Sequence, residues 1–347
     1  LSVLIKPVKQ TVLIDHFMQR IKSVILYNQL TENPGPDEAD VLDQVKLVRE
    51  MLQELNIEVD ELQFSLRIDL VEENLLRINP DFVFNLVESV NNKGSLIYFS
   101  PAILSSNGIP FTGAGLEATF ITTSKTLTKE RLKANGIPTS PWFKPDDIPT
   151  IDPEKRYIVK PVWEEGSLGL DEDCVFMGTD NRFFDRLSKT NPHDFFVEEF
   201  IDGREFNLSV LAGPNGAEVL PPAEIIFTNF PEGKPKVVGF SAKWKEDSFE
   251  YKNTHRTFEF IESDKILLSK LKSVAKQCWD VFGLNGYARV DFRVDSNNQP
   301  WVLEVNANPC ISPDSGFFAA CKQAGIPFKE SIRRIVNDIP NRKIEIQ

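Results

Sequence analysis

The hydrophobic pattern divides the chain into alternating strands and helices. "IKSVILYNQL" (21–30) is a short apolar run ending in a polar turn, as a strand buried on both faces would read. In "DEADVLDQVKLVREMLQELN" (37–56), Val41, Leu42, Val45, Val48, Met51, Leu52 and Leu55 recur at helical spacing. "IEVDELQFS" and "PDFVFNLVES" read as further strands, and this strand–helix–strand order predicts an open α/β sheet. "NGIPFTGAG" (107–115) is rich in breakers and marks a domain boundary. Next come a helix, "TSKTLTKERLKANG", closing at Gly136, and a Pro-rich link, "IPTSPWFKPDDIP". The strand "RYIVKPV", the loop "WEEGSLG", another strand, a helix around 180–190 and "FFVEEFIDGREFNLSVLAG" follow. The last third is strand-rich, with helices expected at 264–282 and near 326–338. The expected division is an N-terminal extension at 1–20, an α/β domain at 21–121, a central lobe at 122–206 and a C-terminal lobe at 207–347.

One stretch of this pattern carries chemistry. "GYARVDFRVDSNNQPWVLEVNANP" (286–309) holds two apolar-rich runs around a polar turn and reads as a β-hairpin. With Asn297-Asn298 as a two-residue turn, Asp291 falls opposite Glu304 and Arg289 opposite Asn306. Strand alternation puts Arg289 and Asp291 on one face, and Glu304, Asn306 and Asn308 on the matching face of the partner. Like charges directly opposite are destabilising, so a cation is expected between them. Two carboxylates and an amide oxygen make a hard, oxygen-only set that suits Mg²⁺. Asp291, Glu304 and Asn306 are therefore the expected metal ligands, with Arg289 holding an anion beside them. An exposed hairpin with solvated charges is the bland alternative, and the buried-looking neighbours Val290, Phe292, Leu303 and Val305 weigh against it.

Charge and composition narrow the partners. The 347-residue chain carries a net charge of −12, with no basic stripe for nucleic acid. ATP, which needs only a few local cations, stays open. Cys174, Cys278, Cys310 and Cys321 are scattered without a C-x-x-C pair, as expected of reduced thiols in the cytoplasm. No apolar run approaches the roughly 18 residues of a membrane span. Residues 1–17 lack the small-residue cleavage site of a signal peptide, and Met18 offers an alternative start.

Further candidates are weaker when taken singly. In "YIVKPVWEEGSLGL" (157–170), a strand delivers Lys160 to a loop with Gly166, Ser167 and Gly169, whose N–H groups could approach phosphate oxygens. A plain surface turn fits that stretch better on local evidence. In "FFVEEFIDGREF" (195–206), Glu198, Glu199 and Glu205 could accept an adenine amino group or ribose hydroxyls, although an ordinary acidic strand end is simpler. Lys125 could reach a phosphate from a helix. Lys243 and Trp244 sit in a polar stretch of the kind that closes over active sites. Ser312 and Ser315, just past the hairpin, could receive a substrate carboxylate; a strand-to-helix turn competes. His16, His193 and His255 show no metal or triad spacing.

The order of these pieces says more than any one of them. Lysine, K-P with a small-residue loop, V-E-E-F-x-x-G-R-E-F, A-K-W, R-x-D-F and E-x-N-x-N-P, spread over residues 21–340, resemble the ATP-grasp superfamily and, within it, the D-alanine–D-alanine ligase group. The resemblance implies α/β and α+β domains in a three-domain architecture with ATP between two α+β lobes. It implies Lys125, Lys160 and Lys243 on the phosphates, Ser167 in the covering loop, Glu198 at the adenine amino group, and backbone from Glu199 through Phe200 to Ile201 along the adenine edge. Glu205 falls at the ribose and Leu303 against the adenine ring. Two Mg²⁺ ions would sit on Asp291, Glu304 and Asn306. Arg289 would steady the tetrahedral intermediate, Ser315 would bind the incoming amino acid's carboxylate, and Asp40 would meet the first substrate's amine. A homodimer is common among such relatives.

Two departures touch the first-substrate pocket. The His-Gly and Gly-Glu-Asp-Gly segments of the D-alanyl-D-alanine enzymes are missing from "FNLVESVNNKGSLIYFSPAILSSNGIPFTG", and their A-K-Y is Ala242-Lys243-Trp244 here. The expected activity is an ATP-dependent amino-acid ligase forming a C–N bond through an acyl phosphate. Alternatives are a ligase joining serine or threonine to a non-peptide acceptor of the mycosporine-glycine type, and a non-catalytic ATP-binding regulator.

Overall fold

The computed structural model describes residues 20–144, 151–163, 167, 169–189, 191, 193–340 and 346. The expected N-terminal extension and part of the "WEEGSLG" loop therefore lie outside the described residues.

The first unit runs β1 (Lys22–Asn28), α1 (Pro36–Glu54), β2 (Glu58–Phe64), α2 (Ile68–Ile78) and β3 (Phe82–Leu86). It forms a parallel three-stranded sheet of order β2-β1-β3. Val24, Ile25 and Leu26 of the central strand are fully buried, as its continuous apolar run requires. Helix α1 starts on Pro36 and buries Val41, Val45, Val48 and Leu52 of the expected stripe together with Gln44, whereas Leu42, also expected in it, is 45% exposed. Short helices α3 (Phe99–Ser106), α4 (Leu116–Thr123) and α5 (Lys125–Ala134) follow. The helix expected over 123–136 is in fact the last of these, because Ser124 breaks the run and caps α5 by accepting the Leu127 N–H.

The second unit is an antiparallel four-stranded sheet of order β4-β7-β5-β6. Its strands are β4 (Trp142–Phe143), β5 (Arg156–Pro161), β6 (Val175–Met177) and β7 (Phe195–Glu199), with α6 (Asn181–Ser188) packed through Phe183 and Leu187.

The third unit contains β8 (Arg204–Leu211), β9 (Glu218–Val219), β10 (Ala223–Phe227), α7 (Phe240–Trp244), α8 (Phe249–Lys252), β11 (Thr254–Thr257), α9 (Lys265–Phe282), β12 (Tyr287–Val294), β13 (Pro300–Asn306), α10 (Gly316–Gln323) and α11 (Phe328–Asn337). Its main sheet has the order β11-β10-β8-β12-β13, with β9 beside β8. Helix α9 covers one face through Leu267, Leu271, Ala275, Cys278 and Phe282.

Two expected boundaries move. The change of sheet falls at the 200–203 turn, not at 206, since 206 lies inside β8. Leu132 and Ile137, expected in the central lobe, are buried in the core of the third unit with α9, β12 and β13. The first and third units share a core as well, joining Val41, Val45 and Phe84 to Tyr287, Phe317, Ile332 and Ile335. No helix among the described residues is long and apolar enough to cross a membrane, and all four cysteines are free thiols.

Candidate active site

The hairpin pairing that the sequence predicts is present: Arg289 lies opposite Asn306 and Asp291 opposite Glu304. The route to it differs. The turn is one residue longer than two, with Asn298 in the left-handed region at φ 57° and the Asp295 N–H donating to the Gln299 carbonyl at 3.2 Å. Phe292 therefore pairs with Val302, and Leu303 is left unpaired as a β-bulge before Asp291 meets Glu304. The bulge cancels the extra turn residue. It also breaks strict alternation, so Leu303 and Glu304 both line the cavity while Val302 and Val305 are in the core.

That cavity, of about 1430 Å³, gathers the candidate side chains from the sequence; of the loop glycines, Gly169 is not in its lining and Gly166 lies outside the described residues. Lys125, Lys160, Ser167, Glu198, Glu199, Phe200, Ile201 and Glu205 line it from the central sheet and its approaches. Lys243, Trp244, Arg289, Asp291, Leu303, Glu304, Asn306, Ser312 and Ser315 line it from the third unit, and Asp40 from α1.

At its floor, Asp291 is 6% exposed. Arg289 grips it in two-pronged fashion, Nε to Oδ1 and Nη2 to Oδ2, each at 2.8 Å. Asn207 Nδ2 donates to Oδ1 at 2.7 Å. The Asn306 amide donates to Asp291 Oδ2 at 3.2 Å and to Glu304 Oε1 at 3.4 Å, so it bridges the acid pair. Lys125 Nζ lies 4.0 Å from Glu304 Oε2. Arg289 is thus folded onto Asp291, and the Asn306 amide is the group that links the two carboxylates. Burial pushes the Asp291 carboxyl up, against the pull of Arg289 and with Glu304 adding to the push. Burial acts on Glu304 too, but Lys125, Lys243 and Arg289 outweigh it and bring that carboxyl down to about 2. Burial and then the Arg289 charge lower Lys243.

The sequence reading missed the residue that organises the roof. Lys129, one helical turn beyond Lys125, is fully buried, with Nζ 2.6 Å from Glu198 Oε2. Lys160 Nζ meets Glu198 Oε1 at 2.5 Å, and Ser140 Oγ donates to Oε2 at 2.7 Å. Glu198 therefore holds two lysines in place, and an adenine contact would be additional to that work. Burial alone would raise its carboxyl; the two ammonium groups reverse this and set it near 2. The signal for Lys129 was available, since i and i+4 on a helix share a face.

Glu205 is likewise engaged, by Arg293 at 2.8 Å; burial raises its carboxyl. The N–H groups of Glu199 and Phe200 donate to the carbonyls of Pro141 and Arg156, each at 2.9 Å. Ser167, at φ 65°, donates its hydroxyl to the Val238 carbonyl at 2.8 Å. Alongside, the Phe240 N–H donates to Leu170 O at 2.7 Å and the Ser241 N–H to Asp171 Oδ1 at 3.0 Å. The loop after β5 is thus pinned to the segment leading into α7. Gly239 permits this approach, because a Cβ there would sit 2.6 Å from both Asp171 Oδ1 and Leu170 O.

Ser315 caps α10, accepting the Phe318 N–H at 3.2 Å, so the strand-to-helix turn is real and its hydroxyl still lines the cavity. Asp40 accepts from Cys310 Sγ at 2.9 Å and from Gln44 Nε2 at 3.2 Å; the same amide donates to Glu88 at 3.0 Å. Burial raises both the Asp40 carboxyl and the Cys310 thiol, so Cys310 is a donor here and not a nucleophile. Asn308 Oδ1 accepts the Ala114 N–H at 3.2 Å, tying the first unit to the end of β13. Gly113, at φ 83°, leaves the room; a Cβ would lie 2.4 Å from that oxygen.

An acid pair under a lysine roof, set between two antiparallel sheets, is what the ATP-grasp fold builds, and this chain has that fold. Its family is more specific. Residues 156–337 match the family described as "D-ala D-ala ligase C-terminus". The chain is 30% identical over 295 residues to a D-alanine–D-alanine ligase of Aquifex aeolicus, covering 84% of this chain and 92% of that one. It is also 30% identical over 270 residues to an uncharacterised protein of Sinorhizobium fredii, covering 75% of each. D-alanine–D-alanine ligase from Bacillus anthracis, solved in complex with ATP, has the same fold, with a TM-score of 0.69 at 18% identity over 92% of this chain and 97% of that one. The chain belongs to the D-alanine–D-alanine ligase family and is a C–N bond-forming, ATP-dependent ligase of that type.

Proposed function

We propose that the protein joins the carboxylate of one substrate to the amine of an amino acid, releasing ADP and phosphate. The observation that carries this reading is the Asp291–Glu304 pair, two carboxylates facing one cavity beneath Lys125 and Lys243. ATP would lie between the central sheet and the third unit. Its adenine edge would meet the chain at Ile201, next to the committed N–H groups of Glu199 and Phe200, with the ring against the bulged Leu303. Glu205 would reach the ribose, and Lys125, Lys160 and Lys243 the phosphates, with Lys129 behind them.

The donor set fits Mg²⁺. No group of three or more His, Cys, Asp or Glu side chains converges as a metal site among the described residues. A site of two carboxylates and the Asn306 amide, completed by water and phosphate oxygens, is what Mg²⁺ accepts. Asp291, Glu304 and Asn306 would hold one or two ions, which when bound neutralise phosphate charge and polarise the transferred group. The remaining steps belong to the chain. A substrate carboxylate attacks the γ-phosphorus, and the lysines take up the charge that develops there. The amine then attacks the acyl phosphate carbon, with the Arg289 guanidinium beside the oxyanion. The pinned cover from Ser167 to Ser241 keeps water from the intermediate.

Trp244 in place of tyrosine, and the absence of the His-Gly segment, favour a first substrate other than D-alanine, including a non-peptide acceptor of the mycosporine-glycine type. The free thiols support a cytoplasmic setting. A mass-resolved product screen with ATP, Mg²⁺ and paired substrates tests the proposal. A new amide with matching ADP supports it; tight ATP binding with no ADP from any pair would favour a regulator instead.

A further inference from the structure

Among the described residues, three of the four buried side-chain atoms without a hydrogen-bond partner belong to residues that line this one cavity: Asn28 Oδ1, Thr254 Oγ1 and Asn308 Nδ2. A buried polar group costs free energy until it is paired, and native proteins leave few in that state. Asn28 is the last residue of β1 and is 4% exposed. The orientation of the Asn308 amide is fixed, because its Oδ1 accepts the Ala114 N–H at 3.2 Å. Its Nδ2 is therefore a donor in want of an acceptor.

Neither amide serves ATP or the acid pair in the reading above. The first sheet has β1 between β2 and β3, so the chain leaves β1 toward one side and later returns on the other. Open α/β sheets bind ligands beyond the carboxyl ends of their strands at such a point. Asn28 stands there, with Glu88 and Ser89 just past β3. Every residue that lines the cavity between positions 28 and 94 is polar, acidic or glycine; none is apolar and none is basic. This wall has nothing to cover an alkyl side chain and no cation to hold a carboxylate. It is rich in acceptors instead. One amide, Gln44 Nε2, donates to both Asp40 and Glu88, at 3.2 and 3.0 Å, and each carboxylate keeps further lone pairs. A substrate on this wall would turn its own carboxylate away, toward Lys125, Lys243 and Arg289.

The two orphaned amides narrow what else it carries. An alkyl group satisfies neither. An ammonium can donate to Asn28 Oδ1 but offers nothing to Asn308 Nδ2. A hydroxyl both donates and accepts, so hydroxyls can serve both.

We propose that the first substrate is a polyhydroxylated carboxylic acid, and that Asn28 and Asn308 select it over alkyl acids and D-alanine by pairing with its hydroxyls. This rests on the ligase reading above and names the chemical class of its first substrate.

The test is steady-state ADP release with a mixed pool of amino acids as amine donors and matched pairs of acids: glyceric and propionic, gluconic and hexanoic, quinic and cyclohexanecarboxylic. At least one hydroxylated acid is expected to exceed its deoxy partner, and the pool alone, by roughly 10- to 100-fold in kcat/KM, the effect of leaving a buried polar group unpaired. Asn28→Leu, close in shape but without the amide, should narrow that ratio about tenfold, chiefly by improving the deoxy acid. Asn28→Asp keeps an acceptor and should preserve the preference. Should Asn28→Leu fail to fold, Asn28→Ala takes its place in the same panel. The proposal is overturned if the wild type uses deoxy acids, or the pool alone, as well as any hydroxylated acid. It is overturned too if Asn28→Leu leaves the ratio unchanged or slows both members of a pair equally, as a merely structural role would. No ADP from any mixture counts against the ligase reading instead. Calorimetric titration of the same acids into the protein loaded with ADP and Mg²⁺ then decides on the pocket alone. Hydroxyl-dependent binding that Asn28→Leu removes supports the assignment; its absence from the whole panel, or its persistence in the variant, rejects it.

Discussion

Asp291 on β12 lies directly opposite Glu304 on β13, and the Asn306 amide bonds to both carboxylates. The repulsion between two acids in that relation is offset by the Asn306 and Asn207 amides and by the cations around them, Arg289 and Lys125. Asp291→Asn or Glu304→Gln should therefore cut ADP release by more than about 100-fold, since even residues that only support a metal ligand are worth roughly 10- to 100-fold. Melting temperature should fall in both variants, because Asp291→Asn leaves the Arg289 guanidinium without its two-pronged partner and Glu304→Gln removes a carboxylate that Lys125, Lys243 and Arg289 stabilise. Turnover that survives either substitution would remove the acid pair from the mechanism.

Glu198 is the shared partner of two buried lysines. Glu198→Gln leaves Lys129 and Lys160 facing one another without a counter-charge, and is expected to destabilise the protein by about 3–5 kcal/mol. Lys129→Met should cost less, since Glu198 keeps Lys160 and Ser140. Denaturant melts of the two variants give the comparison, and a reversed order would contradict this account of the roof.

The same carboxylate sets an acid limit. Its folded pKa, near 2, lies below its ordinary value of 4.5. The stabilisation it gives is fully present above about pH 4.5 and is lost as pH falls toward 2. Glu304, also brought to about 2, acts in the same direction. Stability should thus decline through that window more steeply in the wild type than in Glu198→Gln, by on the order of 3 kcal/mol from Glu198. Urea titrations at a series of pH values measure the difference.

Gly239 lets the loop after β5 lie against the segment before α7. Gly239→Ala would drive a methyl group into Leu170 O and Asp171 Oδ1, so one of the two covers must shift. We expect kcat/KM for ATP to fall by roughly 10- to 100-fold, the range that a misplacement near 1 Å produces. Stability should fall as well, because Gly239 is buried and the added methyl group meets backbone atoms at less than van der Waals distance. Kinetics and a thermal melt on one preparation are sufficient to check both statements.

Much of this architecture was legible in local pattern. The α1 stripe, the long α9, the strand run of β1 and the facing of Asp291 and Glu304 all follow from periodicity, which is a property of neighbouring residues. Even the hairpin, however, was reached by a cancelling pair of irregularities. Alternation alone cannot place Leu303 and Glu304 on one cavity, because that needs the bulge. Other relationships join residues far apart in the chain. Lys129 meets Glu198, and Asn308 holds the loop at Gly113, only once distant parts of the chain have folded together. A sequence by itself determines which face a side chain takes along a regular stretch of strand or helix, since backbone geometry repeats over a few residues. Which charges then neutralise one another was decided by tertiary packing, because Coulomb attraction and burial depend on distances in space that no local spacing encodes.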